Sequence, residues 1–428
     1  MKKFLTEHWL VILLILLLTI FYFWGAKYLP FHPDEATQLY MSRDFNLLFS
    51  HPLSMAFDPL KENDLRQQYR LLDSPITKYL LGLGRFVRNQ PPLLADWDWG
   101  KTWEENRRSG ALPDENILLT GRYTITALLP FSLFFLYLTV EKINGKPAAI
   151  VAAILLGTHS LTIFHARRAM AEGALTLGVV IALWSLFYGR EQPWLTGLCL
   201  AFAINTKQST IALVPVVLLA VSWVNSNKNR RLKTICLNVI FFLIPLIFIT
   251  YLLNPLFWKD PISAFRSSIT ARQELLHQQV KDISTIAPEK VLDTTSERIA
   301  VMVANLYVGP PTHSSVSNLQ PTVDDLNNYL TIPGHNLLRG LVGGGCLLAL
   351  TILGIVLAII SIWRGGIQTN RNIILLLLAT IVQGTALLIA VPLPWPRYAI
   401  PMVPFVCIWI AFGFSQFANR FRATTQLP

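Results

Sequence analysis

Residues 9–36 read WLVILLILLLTIFYFWGAKYLPFHPDEA. From Trp9 to Trp24 no residue is charged and every helical face is apolar, as expected of a segment surrounded by lipid or buried in protein. Directly behind it stands Phe31-His32-Pro33-Asp34-Glu35-Ala36, with two adjacent carboxylates just outside the apolar helix. Taken alone, the pair reads as a solvated helix N-terminus favoured by the helix dipole. What it means depends on the rest of the chain.

The chain has 428 residues, of which 53% are hydrophobic and only 14% charged, with a mean hydropathy of +0.45. A soluble domain carries about 25% charged residues, so the composition is that of a membrane protein. The formal net charge of +11 comes from short basic clusters between apolar runs. It therefore points to membrane orientation rather than nucleic acid. Cys199, Cys236, Cys346 and Cys407 lie in apolar runs without metal-site spacing and read as small buried hydrophobes. No A-x-A-like cleavage site follows the first run, which is expected to remain as an uncleaved helix.

A membrane helix needs about 20 apolar residues. That length predicts ten spans, at 8–26, 117–140, 147–165, 169–189, 193–206, 209–225, 234–254, 338–363, 373–391 and 397–418. With Lys2 and Lys3 cytoplasmic, the even-numbered turns carry Lys142 and Lys146, Arg190, the Lys228–Lys233 cluster, Arg364 and Arg371, and finally Arg420 and Arg422. The positive-inside rule is thereby satisfied, with both termini cytoplasmic. The long segments 30–116 and 255–337 then face the exterior or periplasm. The whole chain, 1–428, is expected to form a single transmembrane domain ending about ten residues past the last span, with no soluble C-terminal domain.

In the first outer loop Ser74-Pro75 predicts an N-cap and a first helical turn. Ile76, Tyr79, Leu80, Leu83 and Phe86 follow at helical spacing, with Lys78, Arg85 and Arg88 off the stripe, as in an amphipathic helix lying on a membrane surface. Trp97, Trp99 and Trp103 read as interfacial anchors. The second loop, opening at Asn254-Pro255 and Ser/Asn-rich near 313–328, reads equally as a lid or an ordinary loop.

On this topology Asp34 and Glu35, Arg167, Arg168 and Glu172, Lys207, and Arg397 all emerge at outer helix ends. The cations among them break the positive-inside rule. Each has a plain reading: Lys207 snorkelling to a headgroup, Arg397 anchoring beside Trp395 and Tyr398, Arg167 and Glu172 forming a structural ion pair. Together, on one side of a membrane, they fit group transfer from a lipid-linked phosphate. Cations neutralise the leaving phosphate, and a carboxylate orients and deprotonates the acceptor hydroxyl.

Several stretches together resemble the GT-C membrane glycosyltransferases, in the branch of protein O-mannosyltransferases and the lipid A aminoarabinose transferase. They are His32-Pro33-Asp34-Glu35, Ser74-Pro75-Ile76-Thr77-Lys78-Tyr79-Leu80, Ala166 to Glu172, Gly197 to Gln208, Asn254-Pro255 to Trp258, and Arg397-Tyr398 with Pro401 and Pro404. The likeness spans most of the chain. It implies an all-α polytopic fold of the GT-C type and a sugar donor on a polyprenyl monophosphate. It also implies inverting transfer to a lipid, glycan or protein hydroxyl. Asp34 would be the base, with Glu35 supporting the loop or acceptor. Lys78, Lys207, Arg397 and Tyr398 would lie at the donor phosphate or sugar. Arg167 and Glu172 match a family Arg-x-x-x-x-Asp pattern, with Glu172 in the place of aspartate, and would serve the acceptor or pair with one another. No cofactor is implied; a divalent cation on Asp34, Glu35 and Glu172 is the weaker option beside the protein's own cations. A transporter of a lipid-linked sugar would use similar cations but should show internal repeats or charges at mid-membrane. A non-catalytic scaffold would tolerate loss of Asp34.

Overall fold

The computed structural model describes residues 2–189, 191–223, 231–312 and 320–425. Arg190, Lys228, Arg230 and part of the 313–328 stretch lie outside the described residues. The described chain is helical, with no strand. Helix α1 (Lys2–Gly25) leads into the first long segment, which folds into α2 (Pro33–Met41), α3 (Asp44–Ser50), α4 (Leu65–Leu72), α5 (Pro75–Val87) and α6 (Trp103–Arg108). The bundle continues with α7 (Glu115–Thr126), α8 (Leu129–Thr158), α9 (Ser160–His165), α10 (Ala171–Trp184), α11 (Pro193–Thr206), α12 (Val214–Ser222) and α13 (Arg231–Leu253). The second long segment forms α14 (Pro261–Ile286), α15 (Thr295–Val303) and α16 (Gln320–Thr331). Three long helices follow, α17 (Gly340–Thr369), α18 (Arg371–Ala390) and α19 (Val403–Thr425).

Seven of the described helical stretches are long and apolar enough to cross a membrane. The ten expected spans differ from this for two reasons. The second and third belong to one stretch, Glu115–Thr158, and the fifth and sixth are short apolar helices, Pro193–Thr206 and Gln208–Ser222. Glu115–Thr158 nevertheless doubles back on itself. Gly145 takes a φ of 81°, a left-handed conformation that glycine adopts without a Cβ clash, and Pro147 opens the next helical turn. Beyond the bend, Gly157 faces both Leu18 and Leu133, so the two arms lie side by side against α1. Lys146 approaches Glu7, and His8 bonds the Tyr137 hydroxyl at 2.8 Å. The Gly145 turn therefore lies at the same end of the bundle as the start of α1.

The core is built around α19. The apolar window of Pro396–Gln416 is 89% buried, against 11% for Leu232–Leu253 at the periphery. Trp409, Phe405 and Phe412 are fully enclosed between α8 and α17. The approach of α17 to α19 depends on glycine. A Cβ on Gly354 would come within 1.9 Å of the Trp409 carbonyl oxygen. Of the cysteines, Cys199 and Cys407 are buried as expected, whereas Cys236 and Cys346 are exposed on outward helix faces. Within the triplet Gly343-Gly344-Gly345, only Gly344 packs against another segment, the backbone at Tyr307.

The first long segment departs from its expected pose. α5 begins at Pro75 as expected, but it turns its charged face inward: Lys78 and Arg85 are buried, while Phe86 and Val87 are exposed. Asp44 is the cause. It draws in Lys78 at 3.4 Å and Arg70 at 2.8 Å. Arg85 meanwhile donates to the Ser42 hydroxyl and carbonyl and to Asn46. Ser74 does not cap α5 with its side chain; its hydroxyl donates to the Ile204 carbonyl at 3.0 Å and ties the loop to the end of α11. Trp97 and Trp103 are not membrane anchors. They pack edge-on against each other and onto Phe31, forming a small core beneath the carboxylate stretch. The two long segments also meet, where α14 packs on α4 through Ala264 and Leu71, with Leu256 from the turn before α14 beside them.

The helix crossing gives a direct test. Gly354→Ala is expected to lower stability by about 1–3 kcal/mol, because the added carbon meets backbone rather than a movable side chain. Gly345→Ala, which meets nothing within 4 Å, is expected to leave the thermal unfolding midpoint in detergent unchanged.

Candidate active site

The carboxylate stretch is held by a reciprocal cap. His32 Nδ1 accepts from the Asp34 amide at 3.1 Å, while the Glu35 carboxylate accepts from the His32 amide at 3.1 Å. This satisfies two of the donors that a helix N-terminus leaves free, and Pro33 sets the first turn. The cap turns Asp34 and Glu35 in different directions.

Glu35 has no exposed surface. Arg122, projecting from α7, donates to both its oxygens at 2.9 and 2.8 Å, and the Ala169 amide adds a third bond at 3.0 Å. Arg122 also donates to the carbonyls of Ala26, Leu29 and Pro30. Burial pushes the Glu35 carboxyl up, but Arg122, Arg168 and the Ala169 amide together outweigh this and hold it below the ordinary range. Of the two carboxylates assigned to catalysis, Glu35 is thus engaged in holding the loop. Arg122 went unnoticed at the sequence level, although a cation inside an apolar span is itself a signal.

Asp34 keeps 32% of its side chain exposed and pairs with Arg397. Burial alone would raise its pKa; Arg397 and His32 hold it below the usual carboxylate range. Arg397 lies against the rings of Trp395 and Tyr398, at 5.1 and 5.8 Å, which places Tyr398 beside the guanidinium. Next to this pair is a second. Lys207 Nζ bonds Glu172 at 2.9 Å, with the lysine 31% exposed and the glutamate buried. Lys207 follows the end of α11 in extended backbone. That end is tied down by Asn205, which accepts from the Asn254 amide group at 2.5 Å.

The expected Arg167–Glu172 pair does not form. Arg167 points the other way, under α1, stacked on Phe21 and Tyr22 and bonded to the Phe21 carbonyl and to His335 Nε2. Its guanidinium lies across Gly25, where a Cβ would approach within 2.4 Å. Arg168 instead runs below the carboxylate loop, donating to the Pro30 carbonyl at 3.2 Å. Lys78 is 3% exposed and held by Asp44. Burial pushes its ammonium down and Asp44 acts against that.

A further carboxylate, Asp73, sits where the first outer segment meets this cluster. It accepts from Gln38 at 3.2 Å. Burial raises its pKa, with Arg272, Lys78 and Lys207 opposing. The structure therefore brings together Asp34, Arg397, Glu172, Lys207 and Asp73, and sets Glu35, Lys78 and Arg167 behind them as supports. Asp34, Glu35 and Glu172 do not suit a shared divalent cation, because each is turned onto its own protein cation. Among the described residues no three His, Cys, Asp or Glu side chains form a metal-holding group.

The Glu35–Arg122 pair yields a stability test. Removing one member of a buried pair costs about 3–5 kcal/mol, so Arg122→Leu is expected to cut detergent-state stability by that order. The double variant Glu35→Gln, Arg122→Leu should recover part of it. Because the folded pKa of Glu35 is depressed, its contribution is complete above the unfolded value and is lost as pH falls through the folded one. Thermal melts between pH 7 and 3 should therefore show a steeper acid loss for the wild type than for the double variant.

No family model matches the chain, and no curated protein matches it. Among solved structures, the Archaeoglobus fulgidus oligosaccharyltransferase tethered with an acceptor peptide containing the NVT sequon aligns at a TM-score of 0.50 and 13% identity, over 99% of this chain and 51% of that one. AglB from the same organism, in complex with an inhibitory peptide and a dolichol-phosphate, gives 0.49 and 12%, over 98% and 52%. ArnT from Cupriavidus metallidurans bound to undecaprenyl phosphate gives 0.37 and 13%, over 97% and 78%. The chain spans about half the length of the oligosaccharyltransferase chains it matches. Its all-helical architecture is the GT-C fold.

Proposed function

We propose that this chain is an integral-membrane glycosyltransferase that moves a sugar from a polyprenyl-phosphate carrier to an acceptor hydroxyl, with Asp34 as general base. The observation that carries the reading is the partly exposed Asp34 carboxylate paired with Arg397 and flanked by the Lys207–Glu172 pair. The resemblance of the stretches around these residues to the GT-C glycosyltransferases, and the fold shared with an oligosaccharyltransferase, agree with it. In the positive-inside register, the site faces the exterior or periplasm of the plasma membrane and both termini are cytoplasmic.

In the reaction proposed, the acceptor oxygen attacks the anomeric carbon as the bond from that carbon to the phosphate oxygen breaks. The hydroxyl proton passes to Asp34, and the electron pair of the broken bond leaves with the polyprenyl phosphate. Attack opposite the leaving group inverts the anomeric centre. Arg397 and Lys207 neutralise the phosphate as its charge grows. Both cations are held by carboxylates without substrate, so the arriving phosphate exchanges places with them. That exchange has a useful consequence. Once Arg397 turns to the phosphate, the influence that depresses the Asp34 pKa weakens, and the carboxylate becomes a better base when the donor is in place.

Release of free polyprenyl phosphate from polyprenyl-phosphate sugars, in the presence of membrane extract as a source of acceptor, tests the reading. Asp34→Asn is expected to lower turnover by about 10²–10⁴, and Lys207→Ala by about 10²–10³. Equal turnover by wild type and Asp34→Asn would remove Asp34 from the chemistry. Arg397→Gln takes away the charge that lowers the Asp34 pKa, so the acid limb of its residual kcat/KM profile is expected at higher pH than in the wild type. An unmoved limb would separate Arg397 from the base.

A further inference from the structure

A cavity lies apart from the residues just described. It is an open groove where the end of α8, the start of α17 and the flank of α19 meet, with about 350 Å³ of empty space continuous with its surroundings, and Leu155, Leu306, Leu347 and Ile410 form its apolar wall. Four polar side chains break that wall, Thr158, His159, Ser160 and Arg339.

Arg339 carries a charge without a counter-ion among the described residues. Its guanidinium donates to the Ser160 hydroxyl and to the Asn305 carbonyl, both at 2.5 Å, and its Nε has no partner. Among the described residues no carboxylate pairs with it, and burial alone moves its pKa, down to about 10. A half-buried cation bonded only to neutral oxygens gains from an anion placed beside it. His159 is 8% exposed. Its Nε2 lies 3.1 Å from the Leu306 carbonyl, and a carbonyl only accepts, so Nε2 carries the proton. Burial and the neighbouring Arg339 keep the ring neutral, with its pKa pushed down to about 3. Nδ1 is therefore an acceptor, and it has no partner. The cavity is thus lined by one cation and one neutral imidazole, each with a polar atom left without a partner.

The surroundings extend outward in apolar form. Leu337, Leu338, Leu341 and Val342 are exposed beside Arg339, at the start of α17. Leu338 holds a φ of 57° and Gly340 one of 85°. A left-handed leucine is an uncommon and costly conformation, and here it shapes the turn that presents Arg339.

We propose that this cavity binds the head of an anionic glycerophospholipid that bears a free hydroxyl, such as phosphatidylglycerol. The lipid phosphate accepts from Arg339, the head-group hydroxyl donates to His159 Nδ1, and the acyl chains lie along the exposed apolar residues at the start of α17. The chemistry excludes a zwitterionic choline head, which has no hydroxyl and brings its own cation.

Native mass spectrometry of the full chain in mild detergent, titrated with dioleoyl lipids of three heads, tests this. Phosphatidylglycerol is expected to be retained at one copy per chain and about tenfold more than phosphatidylcholine. Phosphatidylmethanol, anionic but lacking a hydroxyl, should fall between them. Soluble glycerol 3-phosphate should not be retained, which separates a lipid site from a phosphate site. Arg339→Gln is expected to erase the preference for anionic heads, and His159→Phe the preference for phosphatidylglycerol over phosphatidylmethanol. Leu155→Trp, which fills the cavity from its apolar side and leaves both Arg339 and His159 in place, should lower phosphatidylglycerol retention with an unchanged elution profile. Equal retention of the three lipids by the wild type would overturn the proposal. So would a phosphatidylglycerol preference that survives Leu155→Trp.

Discussion

The ion pair between Glu35 and Arg122 is the constraint on which the site depends. Arg122 stands in an apolar helix, where an unpaired guanidinium would be costly. Its donors go to both oxygens of Glu35 and to the carbonyls of Ala26, Leu29 and Pro30. The chain leaving α1 is thereby wrapped around one cation. Glu35 in turn closes the cap of α2 and accepts from the Ala169 amide, which joins the loop to the segment before α10. Asp34, one residue earlier, is left pointing the other way, with exposed surface and Arg397 as its partner.

The remaining charges follow a common rule: each cation set deep in the described bundle end is answered locally. Lys207 is met by Glu172, Lys78 and Arg70 by Asp44, and Arg167 by rings, a carbonyl and His335. The pairs at Asp34 and Glu172 differ from the others in having partly exposed partners. They are the ones that an incoming anion can open without first unpacking the fold. Arg339, like Arg85 and Arg167, has only neutral partners; it differs from them in lining a cavity.

Much of this arrangement was legible from local signals. Apolar runs of helical length become helices, Pro75 opens α5, and Pro33 with Glu35 opens α2 as a capped helix. The ionisable residues that break the positive-inside pattern do gather at one end, because charge at a helix end of an apolar bundle has few other places to go. The misreadings were of direction rather than of identity. Asp44 looks like an ordinary loop acid beside Arg43, and nothing nearby in the chain indicates that Lys78 and Arg70 will turn inward to meet it. Arg167 and Glu172 have a spacing that would allow a pair on one helix, but the chain breaks between α9 and α10, and they leave on opposite sides.

The sequence by itself determined the membrane character, the helical segments and the set of charged residues available for chemistry, since these follow from composition and from periodicity within a single segment. Partner choice was decided only by the tertiary structure. Glu35 with Arg122 is a contact across 87 positions and Asp34 with Arg397 across 363. Two adjacent carboxylates with the same local chemistry took opposite roles, one enclosed and one open. The physical reason is that burial and counter-charge are set by what packs alongside, and no local pattern carries that information.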